Sequence, residues 1–393
     1  MASDKQTPEI RFLDFSDNWK ERKLGEYVQI ISGNAPSEFS EGNVNYVKVD
    51  DLNNAYKTIF ETKSKVDKHS TVEKVKKGSI IFPKRGAAIL TNKVRILGVD
   101  SYMDTNMMAL TTERLHSEFL YVLISKEGLY KIADTSTIPQ INNKHIEPYK
   151  IMIPGLSEQD KIGKLFDHLD NLISLHQKKH TQLITIKKAM LEKMFPKEGE
   201  TVPEIRFAGF TKPWEHVELN TIALFNPKDD LPEKFEYVDL ESVSGTEMIS
   251  HRTEYKTSAP SRAQRLAKPG DIFYQTVRPY QKNNYLFEKA EDNYVFSTGY
   301  AQMRPYIDGQ YLFTLIQLEQ FVQVVLNNCT GTSYPAINAN DLAKIEVFIS
   351  KNKIEQQKIG AYFHNLDKLI TLQQKKIDQL QHVKKAFLDK MFV

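Results

Sequence analysis

Residues 187–195 read KKAMLEKMF, and residues 384–392 read KKAFLDKMF. Traced backwards, the two copies stay in register to Glu158 and Glu355, an offset of 197 with 23 of 38 aligned residues identical. A second repeat lies upstream. Pro8-Glu9-Ile10-Arg11-Phe12 recurs as Pro203-Glu204-Ile205-Arg206-Phe207, and Trp19 aligns with Trp214 at the same offset of 195. A period near 200 residues is far longer than that of a solenoid. Each half is therefore a short arm, a diverged middle and a closely matching tail.

The tails read as long helices. Ser157 with Asp160, and Asn352 with Glu355, are spaced as N-terminal caps, and Pro196 stops the first copy. A helix of this length spans about 57 Å at 1.5 Å per residue. Stepping by seven gives a seam of Ile162, Leu169, His176, Leu183 and Met190, repeated as Ile359, Leu366, Gln373, Leu380 and Phe387. Leu165, Phe166, Leu172 and Ile173, with Tyr362, Phe363, Leu369 and Ile370, widen it into a coiled-coil face. His176 and Gln373 occupy the same central rung, where a buried polar pair can fix register. Two such helices in one chain are expected to pair antiparallel about a pseudo-twofold, with the diverged domains at opposite ends. The expected organisation is an arm and first domain at 1–156, a first long helix at 157–196, a linker arm and second domain at 197–351, and a second long helix at 352–393.

Both diverged middles read as mixed α/β. GSIIF at 78–82 and GDIFY at 270–274 look like strands that enter polar loops. Helical patches are expected at 116–133 and 309–327. Thr137-Ile138-Pro139-Gln140-Ile141-Asn142 matches Ser333-Tyr334-Pro335-Ala336-Ile337-Asn338, a turn followed by closing strands at 150–153 and 344–349. Trp19 and Trp214 are expected to pack where each domain begins.

Charge is unevenly spread. The net charge is only +3, yet Lys74, Lys76, Lys77, Lys84, Arg85, Lys93 and Arg95 face the single acid Glu73 between residues 73 and 95. Such an excess suits phosphate, although a lysine run is more commonly a solvated face. Gln140, Asn142, Asn143, Asn283, Asn284 and Asn338 are side chains able to read base edges.

Several classes are excluded. One cysteine, Cys329, leaves no disulfide framework and no cysteine zinc site. No apolar run reaches the ~20 residues of a membrane span. The opening MASDKQTPEIRF is not expected to be a secretory signal, so a cytoplasmic location is expected. There is no phosphate-binding Gly-x-x-x-x-Gly-Lys loop, no His-Glu-x-x-His and no Gly-x-Ser-x-Gly elbow. Phe225-Asn226-Pro227-Lys228 lacks the second proline and the aromatic of an amino-methyltransferase loop. The sequence favours binding and positioning over catalysis.

Arm, variable domain, matching helix, and the same again: this order resembles the specificity subunit of type I restriction–modification systems. Glu158-Gln159-x-Lys161-Ile162-Gly163, Leu169-Asp170-x-Leu172-Ile173 and Lys187-Lys188-Ala189, each with its second copy, carry the resemblance. Val277-Arg278-Pro279-Tyr280 and Ser333-Tyr334-Pro335-Ala336-Ile337 are similar to parts of that family's target recognition domains.

The resemblance implies an α/β fold with two mixed α/β recognition domains separated by two long antiparallel coiled-coil helices. It implies a non-catalytic subunit in which each domain reads one half of a bipartite target in double-stranded DNA, while the helices set the gap. The helices would also dock two methyltransferase subunits, with restriction/translocase subunits joining them. S-adenosylmethionine, ATP and magnesium would then reside on those partners, with no cofactor or metal on this chain and no membrane partner. The expected DNA-contacting set is Lys84, Arg85, Lys93, Arg95, Gln140, Asn142, Asn143 and Lys144 in the first domain. In the second it is Arg278, Tyr280, Lys282, Asn283, Ser333, Tyr334 and Asn338. The competing expectations are a stand-alone two-domain DNA-binding regulator, which should bind its site tightly alone, and a methyltransferase, which should bind a methyl donor.

Overall fold

A computed structural model of the chain describes residues 7–54, 57–68, 71–136, 138–331 and 333–393. The chain divides into two units that do not coincide with the two sequence halves. Unit 1 comprises Met1–Lys179 with Gln373–Val393, and unit 2 comprises His180–Leu372. Each unit thus holds the start of one long helix and the end of the other.

In unit 1 the arm strand Lys20–Lys23 pairs antiparallel with Lys150–Ile153, so the two ends of the diverged domain are tied together. Between them lies a five-stranded sheet in the order Gln29–Ser32, Met107–Thr111, Ile80–Pro83, Arg95–Leu97, Thr58–Ile59. The apolar run Ile80-Ile81-Phe82 is buried on both faces and takes the central position. A second sheet orders Ser64–Val66, Glu41–Val47 and Tyr102–Met103. Helix Ser117–Glu127 packs Phe119, Leu120 and Leu123 into the core. The patch expected at 116–133 continues only as a short 3-10 turn, Leu129–Ile132, because Gly128 takes φ +71 and ends the α-helix.

Unit 2 repeats the plan. Glu215–Glu218 pairs with Glu346–Ile349. One four-stranded sheet runs Ala223–Phe225, Tyr300–Pro305, Ile272–Gln275, Tyr285–Leu286, and the other runs Arg252–Tyr255, Lys234–Val238, Tyr294–Ser297, Ala263–Leu266. The helix expected at 309–327 is two, Gly309–Leu315 and Glu319–Asn327.

The long helices are Leu156–Lys193 and Lys353–Lys390. Asn352 caps the second, its Oδ1 accepting from the N–H groups of Ile354 at 2.9 Å and Glu355 at 3.3 Å. The first starts differently from expectation. Gly155 stands where Asn352 stands, and its carbonyl accepts from Glu158 and Gln159 N–H at 3.0 Å. Ser157 therefore lies inside the first turn, and Asp160 pairs with Lys164 at 2.7 Å. Glycine is an acceptable N-cap, so the serine is not needed there.

The helices run antiparallel within each unit. In unit 1, Lys384 Nζ donates to Asp170 at 2.5 Å, and His176 Nδ1 lies 2.6 Å from Gln373 Oε1. In unit 2, Lys187 Nζ donates to Asp367 at 2.5 Å. Ile162, Leu169, Ile359 and Leu366 are buried, while His176, Leu183, Met190, Gln373, Leu380 and Phe387 are half-buried. Ile377, outside the sevenfold steps, is buried too, whereas Leu369 is exposed.

Each repeated letter at the helix starts has a contact. Glu158 is buried and takes a two-pronged bond from Arg11, at 2.7 and 2.8 Å. Glu355 takes the same bond from Arg206, at 2.5 and 2.8 Å. Gln159 accepts from His116 N–H at 3.1 Å and donates to Pro154 O at 2.9 Å, and Gln356 does likewise with Asp308 at 3.3 Å and Ser350 at 2.6 Å. Those N–H groups belong to the residues that begin the domain helices, so the glutamine ties one helix start to another. Gly163 and Gly360 permit the approach. An added Cβ would lie 2.9 Å from Glu118 Cβ in one case and 2.7 Å from Tyr311 N in the other.

The repeated endings have contacts as well. Phe392, from the second helix, sits in unit 1 with Trp19 at 5.8 Å, Phe119 at 5.8 Å and Phe166 at 6.0 Å between ring centroids. Phe195, from the first helix, sits in unit 2 with Trp214 at 5.6 Å, Tyr311 at 5.9 Å and Phe363 at 6.2 Å. The arms close over them, Ile10 N–H donating to Lys390 O at 2.9 Å and Ile205 N–H to Lys193 O at 2.8 Å. Phe392→Ala should therefore cost about 3–5 kcal/mol, and Phe195→Ala a similar amount. Equilibrium urea unfolding measures both. Hydrogen exchange should place the Phe392 loss on the buried amides of unit 1.

Candidate nucleic-acid interface

The two units present one backbone frame with different side chains on it. In unit 1 the chain leaves the buried strand Ile80–Pro83 at Lys84. There Ile141 N–H donates to Lys84 O and Gly86 N–H to Pro139 O, each at 2.8 Å. Arg85 thereby faces Gln140, and Gln140 exchanges two backbone bonds of 2.9 Å with Asp134 on its other side. In unit 2 the chain leaves Ile272–Gln275 at Thr276. Ile337 N–H donates to Thr276 O at 3.0 Å, and Arg278 N–H donates to Pro335 O at 2.8 Å. Val277 faces Ala336, which exchanges bonds of 2.9 and 3.0 Å with Thr330. Three segments meet in the same register each time.

The next residue after each turn starts a short helix, Asn143–Ile146 or Ala339–Ala343. Asn338 is occupied there: its Oδ1 accepts from Asp341 N–H at 2.9 Å and its amide donates to Asp341 Oδ2 at 2.5 Å. Asn142 accepts from Gln140 Nε2 at 3.1 Å, and its N–H donates to His145 Nδ1 at 3.2 Å.

The frame brings together Lys84, Arg85, Gln140, Asn142, Asn143 and Lys144 in unit 1. It brings together Arg278, Ser333, Tyr334 and Asn338 in unit 2, with Tyr280 on the adjoining 3-10 turn Pro279–Gln281. Arg85, Asn143, Lys144, Tyr280, Ser333, Tyr334 and Asn338 are exposed. Burial lowers the affinity of Lys84 for its proton, against the opposing pull of Asp104.

Other expected residues sit elsewhere or are tied up. Lys93 and Arg95 lie beyond the 3-10 segment Ala87–Thr91. There Lys93 Nζ donates to Asn53, and Arg95 donates to Val94 O at 2.7 Å. Along the chain the run is divided between the strand Ile80–Pro83, the 3-10 segment Ala87–Thr91 and the strand Arg95–Leu97, with Arg95 paired beside Ile81. Lys282 Nζ donates to Glu319 at 2.6 Å and to Gln317 O at 3.0 Å. Asn283 Oδ1 accepts from Gly245 N–H at 2.8 Å. Asn284 is buried, and its Oδ1 accepts from Gln275 N–H at 2.7 Å, so it holds the loop.

Arg11, Arg206, Arg252 and Arg304 are paired with carboxylates, and Arg22, Arg95 and Arg114 donate to backbone carbonyls. Among the described residues, Arg85, Arg262, Arg265 and Arg278 have no such bond. Two of these four, Arg85 and Arg278, stand in the paired turns, one per unit. Asp134 and Thr330, which supply the third segment, differ in residue type and so carried no repeat signal. Nor did the sequence show that the arm arginines face Glu158 and Glu355, although the exact recurrence of both was available as a signal.

Comparison with known proteins adds to the geometry. The family model described as "Type I restriction modification DNA specificity domain" matches twice, at residues 16–185 and 213–382. The MjaVIII type I restriction enzyme specificity subunit of Methanocaldococcus jannaschii is 24% identical over 413 residues, covering 97% of this chain and 93% of that protein. The crystal structure of a type I restriction–modification S subunit from M. genitalium superposes with a TM-score of 0.61 at 16% identity, covering 98% of this chain and 99% of that one. A chain from a structural study of assembly and conformational transition of the type I system gives a TM-score of 0.51 at 17% identity, covering 95% and 97%.

Free cations at the turns should carry salt-dependent binding to duplex DNA. Replacing Arg85 and Lys144 together by alanine is expected to flatten the log–log salt slope for non-specific DNA by about 1–2, with thermal stability unchanged. Lys282→Ala, whose ammonium already faces Glu319, should leave the slope as it was. Fluorescence anisotropy across a salt series reads all three proteins.

Proposed function

We propose, from the premise that this chain belongs to the family of type I restriction–modification DNA specificity domains, that each unit reads one half of a split DNA target. The observation that supports the reading most directly is the shared turn. One hydrogen-bonded frame occurs in both units, yet it carries Arg85, Gly86, Ile138 and Gln140 in one and, at the same places, Val277, Arg278, Tyr334 and Ala336 in the other. Equal frames with unequal side chains suit two readers of different words.

The long helices fit a docking role for two methyltransferase subunits. Leu175 and Val383 in unit 1, and Ile184, Ile186, Leu369 and Leu372 in unit 2, leave apolar side chains exposed on them. Partner helices would cover such residues. In this reading the chain is not itself catalytic. S-adenosylmethionine is held by the methyltransferase subunits, and ATP and magnesium by restriction/translocase subunits, in a cytoplasmic complex. Among the described residues no helix is long and apolar enough to cross a membrane.

The test is a genome-wide map of methylated adenines in the source cell with and without this gene. Loss of one motif made of two short words and a fixed gap supports the proposal. Tight binding to a single site by the chain alone, with the map unchanged, favours a stand-alone regulator.

Exchanging residues 20–153 for the matching block of another family member should change one word only. The block must end at 153, since Lys20 pairs with Ile153 across the closing strands. Sequencing the methylation motif of the hybrid checks this, and a change in both words would contradict the two-reader arrangement.

A further inference from the structure

Arg278 is held in a backbone conformation that arginine rarely takes. Its φ and ψ are +54° and +55°, in the left-handed region. Four non-glycine residues among those described have positive φ: Asn92, Asn226, Arg278 and Lys282. Asparagine tolerates this region, so the two costlier cases are Arg278 and Lys282, on either side of Pro279-Tyr280-Gln281.

The surroundings fix this loop. Arg278 N–H is bound to Pro335 O at 2.8 Å, and Gln281 N–H to Arg278 O at 3.0 Å. Gln275 Nε2 donates to Gln281 Oε1 at 2.8 Å, and Lys282 Nζ holds Glu319 and Gln317 O. Unit 1 shows the alternative the frame accepts. The counterpart of Arg278 is Gly86, which shares the positive φ at +86° but turns to an extended ψ of −177°, with open space where a side chain would go. A glycine would satisfy the backbone at lower conformational cost, so the arginine is there for its side chain.

That side chain is free and oriented. The guanidinium carbon lies 4.5 Å from the centroid of the Tyr334 ring, and it makes no ion pair or hydrogen bond among the described residues. Tyr334 is 63% exposed, and Tyr280, in the same loop, is 50% exposed. In unit 1 the place of Tyr334 is taken by Ile138, so the stack is absent there. Packing on a ring restricts the guanidinium plane and leaves its N–H donors uncommitted. Paired coplanar donors match paired coplanar acceptors. In the major groove guanine offers two, N7 and O6, whereas adenine offers one acceptor beside a donor.

We infer that Arg278, stacked on Tyr334, is the specificity-determining residue that reads a guanine in the half-target of unit 2. This rests on the proposed reading of DNA by the paired turns. Arg85, one residue earlier in the equivalent frame, has no ring beneath it among the described residues and is assigned no base.

The experiment compares the full-length wild-type chain with R278K and R278G in the source cell lacking the native gene. Methylated adenines are mapped in each, and the purified proteins are melted. Lysine keeps the charge and loses the planar fork, and Lys282 shows that this loop accepts lysine in the left-handed region. R278K is expected to relax the motif at one G·C pair in one word, with discrimination there falling roughly ten- to hundredfold. The other word should be unchanged. R278G should relax the same position and melt at or above the wild-type temperature. An R278K motif identical to wild type would assign Arg278 to a phosphate or to packing and overturn the inference. Uniform loss of methylation at every sequence in R278K would overturn it also. A wild-type chain that directs no split motif removes the reading on which the inference stands, an outcome separate from both.

Discussion

Two aromatic side chains at the helix ends, Phe392 and Phe195, are buried in the unit from which the opposite helix begins. Around each, a tryptophan from the arm, an aromatic from the domain helix and a phenylalanine from the other long helix meet. Burying a ring of this size stabilises by about 1.5–3 kcal/mol. The geometry matters beyond that energy. Seating the ring fixes how far one helix reaches along the other, and so fixes the ion pairs Asp170–Lys384 and Asp367–Lys187. The arm then seals the ring with one backbone bond and clasps the opposite helix through the Arg–Glu pair. Remove the ring and the arm, the helix start and the domain helix all lose a shared partner.

This framework is separated from the surface that differs between units. The repeated letters Glu-Gln, Gly, Asp, Lys and Phe all make contacts within the cores or along the helix pair. The turns at Lys84–Gly86 and Thr276–Arg278 hang from a buried central strand and are held by backbone hydrogen bonds that do not depend on side-chain identity. Side chains there can change while the frame stays. A scaffold with this division accepts new reading residues without new packing, which is how loops on rigid elements serve recognition.

Much of this was legible in the sequence because repetition exposes constraint. The long helices, the arms, the closing strands and the paired turn all follow from aligned stretches. Ser157 misled because a cap is defined by backbone position, and Gly155 takes that position in the first copy. The helical patch at 309–327 reads as continuous, yet the chain breaks at Ile316–Leu318, where apolar periodicity gives no warning. The lysine run showed an excess of charge, but not which cations are already bonded, as Lys93 is to Asn53 and Arg95 to Val94 O. Lys93 and Arg95 follow Lys84 and Arg85 after the 3-10 segment Ala87–Thr91, and Arg95 pairs beside Ile81. The conformation of Arg278 was not legible at all, since a positive φ is written in the sequence only when glycine fills it.

The division into units also sets an order of assembly. Unit 2, His180–Leu372, is a contiguous stretch of chain, so it can complete its core as soon as it has been synthesised. Unit 1 is begun first, yet it needs Gln373–Val393 from the far side of unit 2. During translation the nascent Trp19 pocket must therefore wait, apolar and open, through nearly two hundred intervening residues. Contacts of that sequence separation are slow to form and leave apolar surface available to chaperones in the interval. The half that the ribosome makes first is the half that becomes native last.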